Sequence, residues 1–182
     1  MSRSLIELSQ LPRAELDEIF RRGTPPTIDE LAGWEFKGWN CSLLPKLGGF
    51  QKFVKGFYRR PENPAGECEG FNIVMIQNGV DGEWLGLPAD DEPKRHGFYR
   101  VLPFEEGGEP PSLLLDYGVH PANPRLDVTR LLRDLLVKIE GDPDLLLGKA
   151  HLALGRWVFG GYFLLERRRE HSYAGAGLPG LS

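Results

Sequence analysis

The segment from Leu145 to Arg167 constrains the fold most, because here two strands and their pairing can be written down from the residues alone. With Gly155-Arg156 as the two central residues of a turn, glycine in first place suits a type II′ hairpin, whose twist matches that of the flanking strands. One face then pairs Leu152 with Phe159, Ala150 with Gly161, Gly148 with Phe163 and Leu146 with Leu165. It is apolar throughout. The other pairs His151 with Gly160, Lys149 with Tyr162 and Leu145 with Glu166, and is mixed. One face therefore belongs to a core. Its small residues Gly148, Ala150 and Gly161 leave room for a second backbone layer or a bound small molecule to come close.

The rest of the chain is punctuated in the same way. Its 23 Gly and 15 Pro fall between short apolar runs, which favours many short strands joined by turns over long helices. Helix signals run from Leu11 to Gly23: Pro12 at the start, acids early, Arg21 and Arg22 late, glycine as the stop. Thr27-Ile28-Asp29-Glu30 has the spacing of a capping box for one helical turn. From Gly33 the pattern alternates, and a first strand begins. Further strands are expected at Gln51–Arg59 and Gly70–Gln77. Asn78-Gly79 then makes a hairpin turn to a short partner, Glu83–Leu87. His96–Phe104 and Ser112–Gly118 follow as strands. The apolar residues between Leu126 and Glu140 fit either period, and the reading adopted is a helix over 126–132 running into a strand over 134–139.

Seven to nine antiparallel strands with one or two helices suggest a mainly β, up-and-down barrel, since closing the sheet removes its exposed edges. At 182 residues the chain is expected to be a single domain. Residues 1–32 form a helical segment, 33–167 the barrel and 168–182 a flexible tail. An eight-strand barrel has an interior that side chains can fill or that holds one small ligand.

Composition excludes several classes of function. A net charge of −4 leaves no domain-wide basic footprint for nucleic acid. No apolar run approaches the ~20 residues needed to span a bilayer. With only Cys41 and Cys68, and no leader-like start, a cytoplasmic protein with reduced thiols is expected. The four histidines are dispersed and no C-x-x-C is present, so neither a metal site nor a cofactor is expected. Phosphate-loop and nucleophile-elbow patterns are missing as well.

Over residues 25–39 (Pro25-Pro26-Thr27-Ile28-Asp29-Glu30-Leu31-Ala32-Gly33-Trp34-Glu35-Phe36-Lys37-Gly38-Trp39) the chain resembles the opening of lipocalin-like barrels. The likeness is to the small bacterial proteins named for a Gly-x-Trp-x-Gly signature, which also begin with a helix, a proline pair and a short acidic turn. Here Phe36 stands where the tryptophan would precede Gly38, and the first glycine is displaced to Gly33. The resemblance implies a calycin-type barrel with a central apolar cavity and no catalytic residue. Haem-binding barrels of related shape need an axial histidine. His151 is on the segment where one would be sought, but the hairpin register puts it on the mixed face.

Three functions remain open. The first is binding of a small, mostly apolar molecule inside the barrel, with Trp34, Phe36, Tyr58, Phe71, Met75, Tyr99, Phe159 and Phe163 as its lining. The second is an isomerase or cyclase in the same cavity, with Asp116, Tyr117, His120 and Tyr162 as candidate proton-transfer groups. At least two of these must converge for that reading. The third is a protein-interaction module built on a patch around Trp39, Trp84 and Trp157. Arg133-Asp134 reads as a buried ion pair below the cavity or as a solvated face, and Arg167-Arg168-Arg169 as a solubilising charge run.

Overall fold

The computed structural model describes residues 4–41, 50–60 and 67–175. Eight antiparallel strands close into a barrel in sequence order. They are β1 (Trp34–Asn40), β2 (Lys52–Arg59), β3 (Cys68–Val74), β4 (Arg95–Phe104), β5 (Ser112–Asp116), β6 (Leu132–Ile139), β7 (Asp142–Ala153) and β8 (Trp157–Glu170). Pairing of β1 with β8 makes the closure, and no helix among the described residues is long and apolar enough to cross a membrane.

Three helices precede the barrel: α1 (Leu5–Ser9), α2 (Arg13–Arg22) and α3 (Ile28–Leu31). The first was not expected from the sequence, although Ser4 and Glu7 cap it reciprocally, as Thr27 and Glu30 cap α3. α1 and α2 lie on the outside, where Leu8, Leu16 and Phe20 cover Leu135, Val137, Leu147 and Leu164. α3 has a different task. Its Leu31, with Ile28 and Ala32, packs into the interior cluster of Phe36, Phe57, Tyr99, Leu136, Leu146 and Leu165, and so plugs one end of the barrel.

The hairpin register holds from Leu145↔Glu166 to Ala150↔Gly161 and then slips by one at a β-bulge. His151 faces Phe159, Leu152 faces Val158, and the turn is three residues long, with Gly155 at φ +75°. A single extra residue, Gly160, moves Phe159 to the outer face beside α2. The expected helix over 126–132 shrinks to a 3-10 turn, Val128–Leu131, capped by Asp127. Leu126 is 97% exposed and Val128 76%, so no apolar face exists to hold a longer helix. β6 mimics helical spacing because both its faces are buried, Leu136 inside and Leu135 and Val137 under α2.

Residues 83–87 do not form a strand. An isolated bridge, Met75↔Gly86, flanked by the Ile76 amide on the Leu85 carbonyl and the Leu87 amide on the Val74 carbonyl, joins them to the sheet, and the ammonium of Lys52 gathers the oxygens of the loop before them. It donates to Asn78 Oδ1 (2.6 Å) and to the carbonyls of Gly79 (3.0 Å), Gly82 (2.8 Å) and Glu83 (2.8 Å). The first residues expected in the tail are placed against the barrel. β8 runs to Glu170, the His171 amide donates to the Gly33 carbonyl (2.9 Å), and Tyr173 packs on Tyr58 and Phe71. Residues 176–182 lie outside the described residues.

Candidate functional site

Alternation along each strand decides what faces the interior. On β2, Phe53, Lys55 and Phe57 share the inward face, while Val54 and Tyr58 belong to an outer cluster with Phe71, Ile73 and Met75. On β4 the ladder shifts opposite Phe71, where Gly97 has φ +52°. This bulge lets His96 and Tyr99, three residues apart, both turn inward. β6 contributes Leu132, Asp134 and Leu136, and Tyr117 follows directly on β5.

The half of the interior next to α3 is filled by the apolar cluster. The other half is a cavity of about 470 Å³. Its walls include Phe50, Phe53, Val74, Val128, Leu132, Ala150, Leu152 and Phe163. It is bordered by the β7–β8 turn region and the 3-10 turn. Ala150 and Gly161, two of the hairpin's three small residues, bring bare backbone to one wall together with Gly160, whereas the third, Gly148, is covered by the Phe163 ring.

A polar cluster forms the cavity floor. Lys55, 2% exposed, donates to Asn72 Oδ1 (3.0 Å), to the Tyr117 hydroxyl and to Asp134 Oδ2 (3.2 Å). Its three protons thus have three acceptors. The Tyr117 hydroxyl in turn donates to Asp134 Oδ2 (2.9 Å), and the Asn72 amide nitrogen donates to the Gly97 carbonyl (2.8 Å), which fixes the oxygen toward Lys55. Aromatic rings surround the ammonium, with centroids at 4.9 Å for Tyr99, 5.1 Å for Tyr117, 5.2 Å for Phe163 and 5.5 Å for Phe53.

The electrostatics follow from burial. Desolvation lowers the pKa of Lys55 against the opposing pull of Asp134. Desolvation, then the Asp134 charge, raises that of Tyr117 well above 10, so the phenol stays a donor. His96 lines the cavity, and its pKa is lowered by burial first and by Lys55 next.

Of the aromatic lining expected from the sequence, Phe163 borders the cavity. Trp34, Phe36 and Tyr99 belong to the packed half, and Tyr58, Phe71, Met75 and Phe159 to the outer clusters. Of the four proton-transfer candidates, Tyr117 alone joins the floor. Asp116 pairs with Arg133 (3.2 Å) and accepts from the Gly118 amide (2.8 Å). His120 meets Glu69 (3.2 Å) and stacks on Phe98, while Tyr162 donates to Asp17 of α2.

Arg133 and Asp134 do not pair with each other, because strand neighbours point to opposite faces. Arg168 and Arg169 both bind Glu35 and Asp90, so they hold the outer wall together rather than merely solvating it. Trp39 and Trp84 belong to separate outer clusters and Trp157 stacks on Phe104. Lys55, Asn72 and His96 were missed as site residues, and Asp134 was read only as a partner of Arg133. Their signal is a polar residue set two places from apolar ones on a strand's buried face, as in Phe53-Val54-Lys55-Gly56-Phe57 and Leu132-Arg133-Asp134-Leu135-Leu136.

No family model and no curated protein matches the chain. Among solved structures it is similar to a protein from Thermomonospora curvata, with a TM-score of 0.53 and 16% identity over 91% of this chain and 94% of that one. At that identity the likeness is one of fold: a neighbour with the same closed eight-strand antiparallel barrel, an architecture that could hold a ligand.

Proposed function

We propose that this barrel binds a small, mostly apolar molecule with a polar head, in the manner of lipocalin-like proteins. The observation that carries the reading is the cavity of about 470 Å³, apolar along its walls and polar at one end. That volume lies within the range of small-molecule sites, roughly 300–1,000 Å³, and a few fixed polar groups in an apolar pocket are what orient a bound ligand. The head group meets Lys55, Asn72, Tyr117 and Asp134, and the body lies against Phe53, Phe163 and the Ala150–Gly161 wall. Because Lys55 and Asp134 offset each other, the floor suits a neutral hydrogen-bonding head better than a fixed charge.

The test is titration with a neutral environment-sensitive apolar fluorophore, N-phenyl-1-naphthylamine, of the natural protein and of Ala150→Phe, whose added ring occupies cavity space. Saturable binding that disappears in the variant, with the urea midpoint little changed, is the expected result. Equal binding by both proteins places the fluorophore elsewhere and removes the support for this reading.

A further inference from the structure

We infer that Lys55 condenses with a carbonyl compound entering the cavity, forming an imine on its ε-nitrogen while Tyr117 and Asp134 carry the protons; this rests on the cavity being a ligand site. The geometry supplies each requirement. The amine borders the hollow half, a carboxylate lies 3.2 Å away to take its proton, and one phenol touches both. Asn72 is the third acceptor on the nitrogen, with its own amide group anchored on Gly97. Lys52 shows the contrasting case: its ammonium is caged by carbonyl and amide oxygens that cannot take a proton, and it serves as an internal control. Burial also favours the neutral, nucleophilic form of Lys55.

The reaction balances without any outside reagent. The Lys55 ammonium gives a proton to Asp134, and the freed lone pair forms the N–C bond as the carbonyl π pair moves to oxygen. That oxygen takes the Tyr117 proton, which Asp134 replaces. Asp134 then removes a proton from the nitrogen. Asp134 returns that proton to the hydroxyl by way of Tyr117, and water leaves as the nitrogen lone pair forms the C=N bond. The product is an iminium ion paired with the Asp134 carboxylate, so the floor keeps its charge balance from start to finish.

The experiment uses the natural protein, 2-naphthaldehyde with sodium cyanoborohydride, and 2-naphthylmethanol as the counterpart that cannot condense. Trapping is expected to leave Lys55 heavier by the aldehyde less one oxygen atom, with at least about tenfold more label there than on Lys52 or any surface lysine. Tyr117→Phe, compared at saturating aldehyde with its affinity for the alcohol measured separately, should slow the trapping step by about a hundredfold. An unchanged trapping rate in that variant refutes the role given to Tyr117. If the alcohol binds and the aldehyde leaves no label on Lys55, or labels all lysines alike, the condensation is overturned and the binding reading survives. If neither compound binds, both fall.

Discussion

The two halves of the barrel interior are built from the same eight strands, yet one is solid and the other hollow. In the solid half, Phe36 meets Phe57 edge-on at 5.6 Å, Phe57 meets Tyr99 at 5.6 Å, and Leu31 of α3 closes the end. In the hollow half β7 and β8 place Ala150, Gly160 and Gly161 between Leu152 and Phe163, and no helix plugs the opening among the described residues. Closing a sheet therefore does not by itself decide whether the interior is core or cavity. Side-chain volume at the inward positions decides it, together with whether something covers the end.

If that contrast is right, equal truncations have unequal costs. Phe57→Ala in the solid half should lose about 4 kcal/mol of stability, whereas Leu152→Ala on the cavity wall, where packing is already incomplete, should lose under about 1 kcal/mol. Urea denaturation of the two variants measures this directly, and equal losses would mean that the hollow half is packed as tightly as the other. The boundary comes next. Lys55→Met leaves Asp134 charged and unpaired in a dry place, a cost of about 3 kcal/mol, and the double variant with Asp134→Leu should regain most of it. A single variant that matches the natural protein would show water reaching the floor.

The hairpin explains how far the sequence can be read. Gly148 opposite Phe163 was legible because the turn at Gly155-Arg156 sets the register that far, and the Phe163 ring lies over the glycine. The same pairing occurs at Gly38 with Phe53, Gly56 with Phe71 and Gly70 with Tyr99, where no turn was clear enough to set the register. The bulges at Gly160 and near Gly97 were not legible, since one inserted residue costs little locally while reversing the faces beyond it. That reversal carries Phe159 to the outer face and turns His96 inward. Tyr58 of β2, Phe71 of β3 and Met75 just beyond it fill an outer cluster instead of the lining, because this part of the sheet is covered on both sides.

Glycines on the two sides of the boundary give a smaller contrast. A Cβ on Gly148 would sit 2.0 Å from the Phe163 ring, whereas one on Gly160 would sit 3.4 Å from its nearest neighbour, the Ala150 carbonyl. Gly148→Ala should therefore cost about 1–3 kcal/mol by displacing the ring, and Gly160→Ala within about 0.5 kcal/mol. Thermal unfolding ranks the two, and tolerance at Gly148 would mean that Phe163 swings into the cavity freely.

The smallest effect concerns how dry the hollow half is. His96 has its pKa lowered from 6.5, by desolvation and then by Lys55, with Lys94 acting in the same sense and Asp127 against it. Below that ordinary value the unfolded imidazole binds a proton that the folded one resists, so the unfolded state holds more protons and stability falls as the pH drops. His151 and His171 are shifted in the same direction in every variant, so subtracting the His96→Gln profile isolates His96. Urea midpoints at about pH 7.5 and about pH 5.5, above the range where buried carboxylates titrate, should fall further for the natural protein than for His96→Gln. An apolar ligand displaces whatever water reaches the ring, so adding one should steepen the difference. A profile indifferent to both the substitution and the ligand would mean that this wall of the cavity is as wet as the surface.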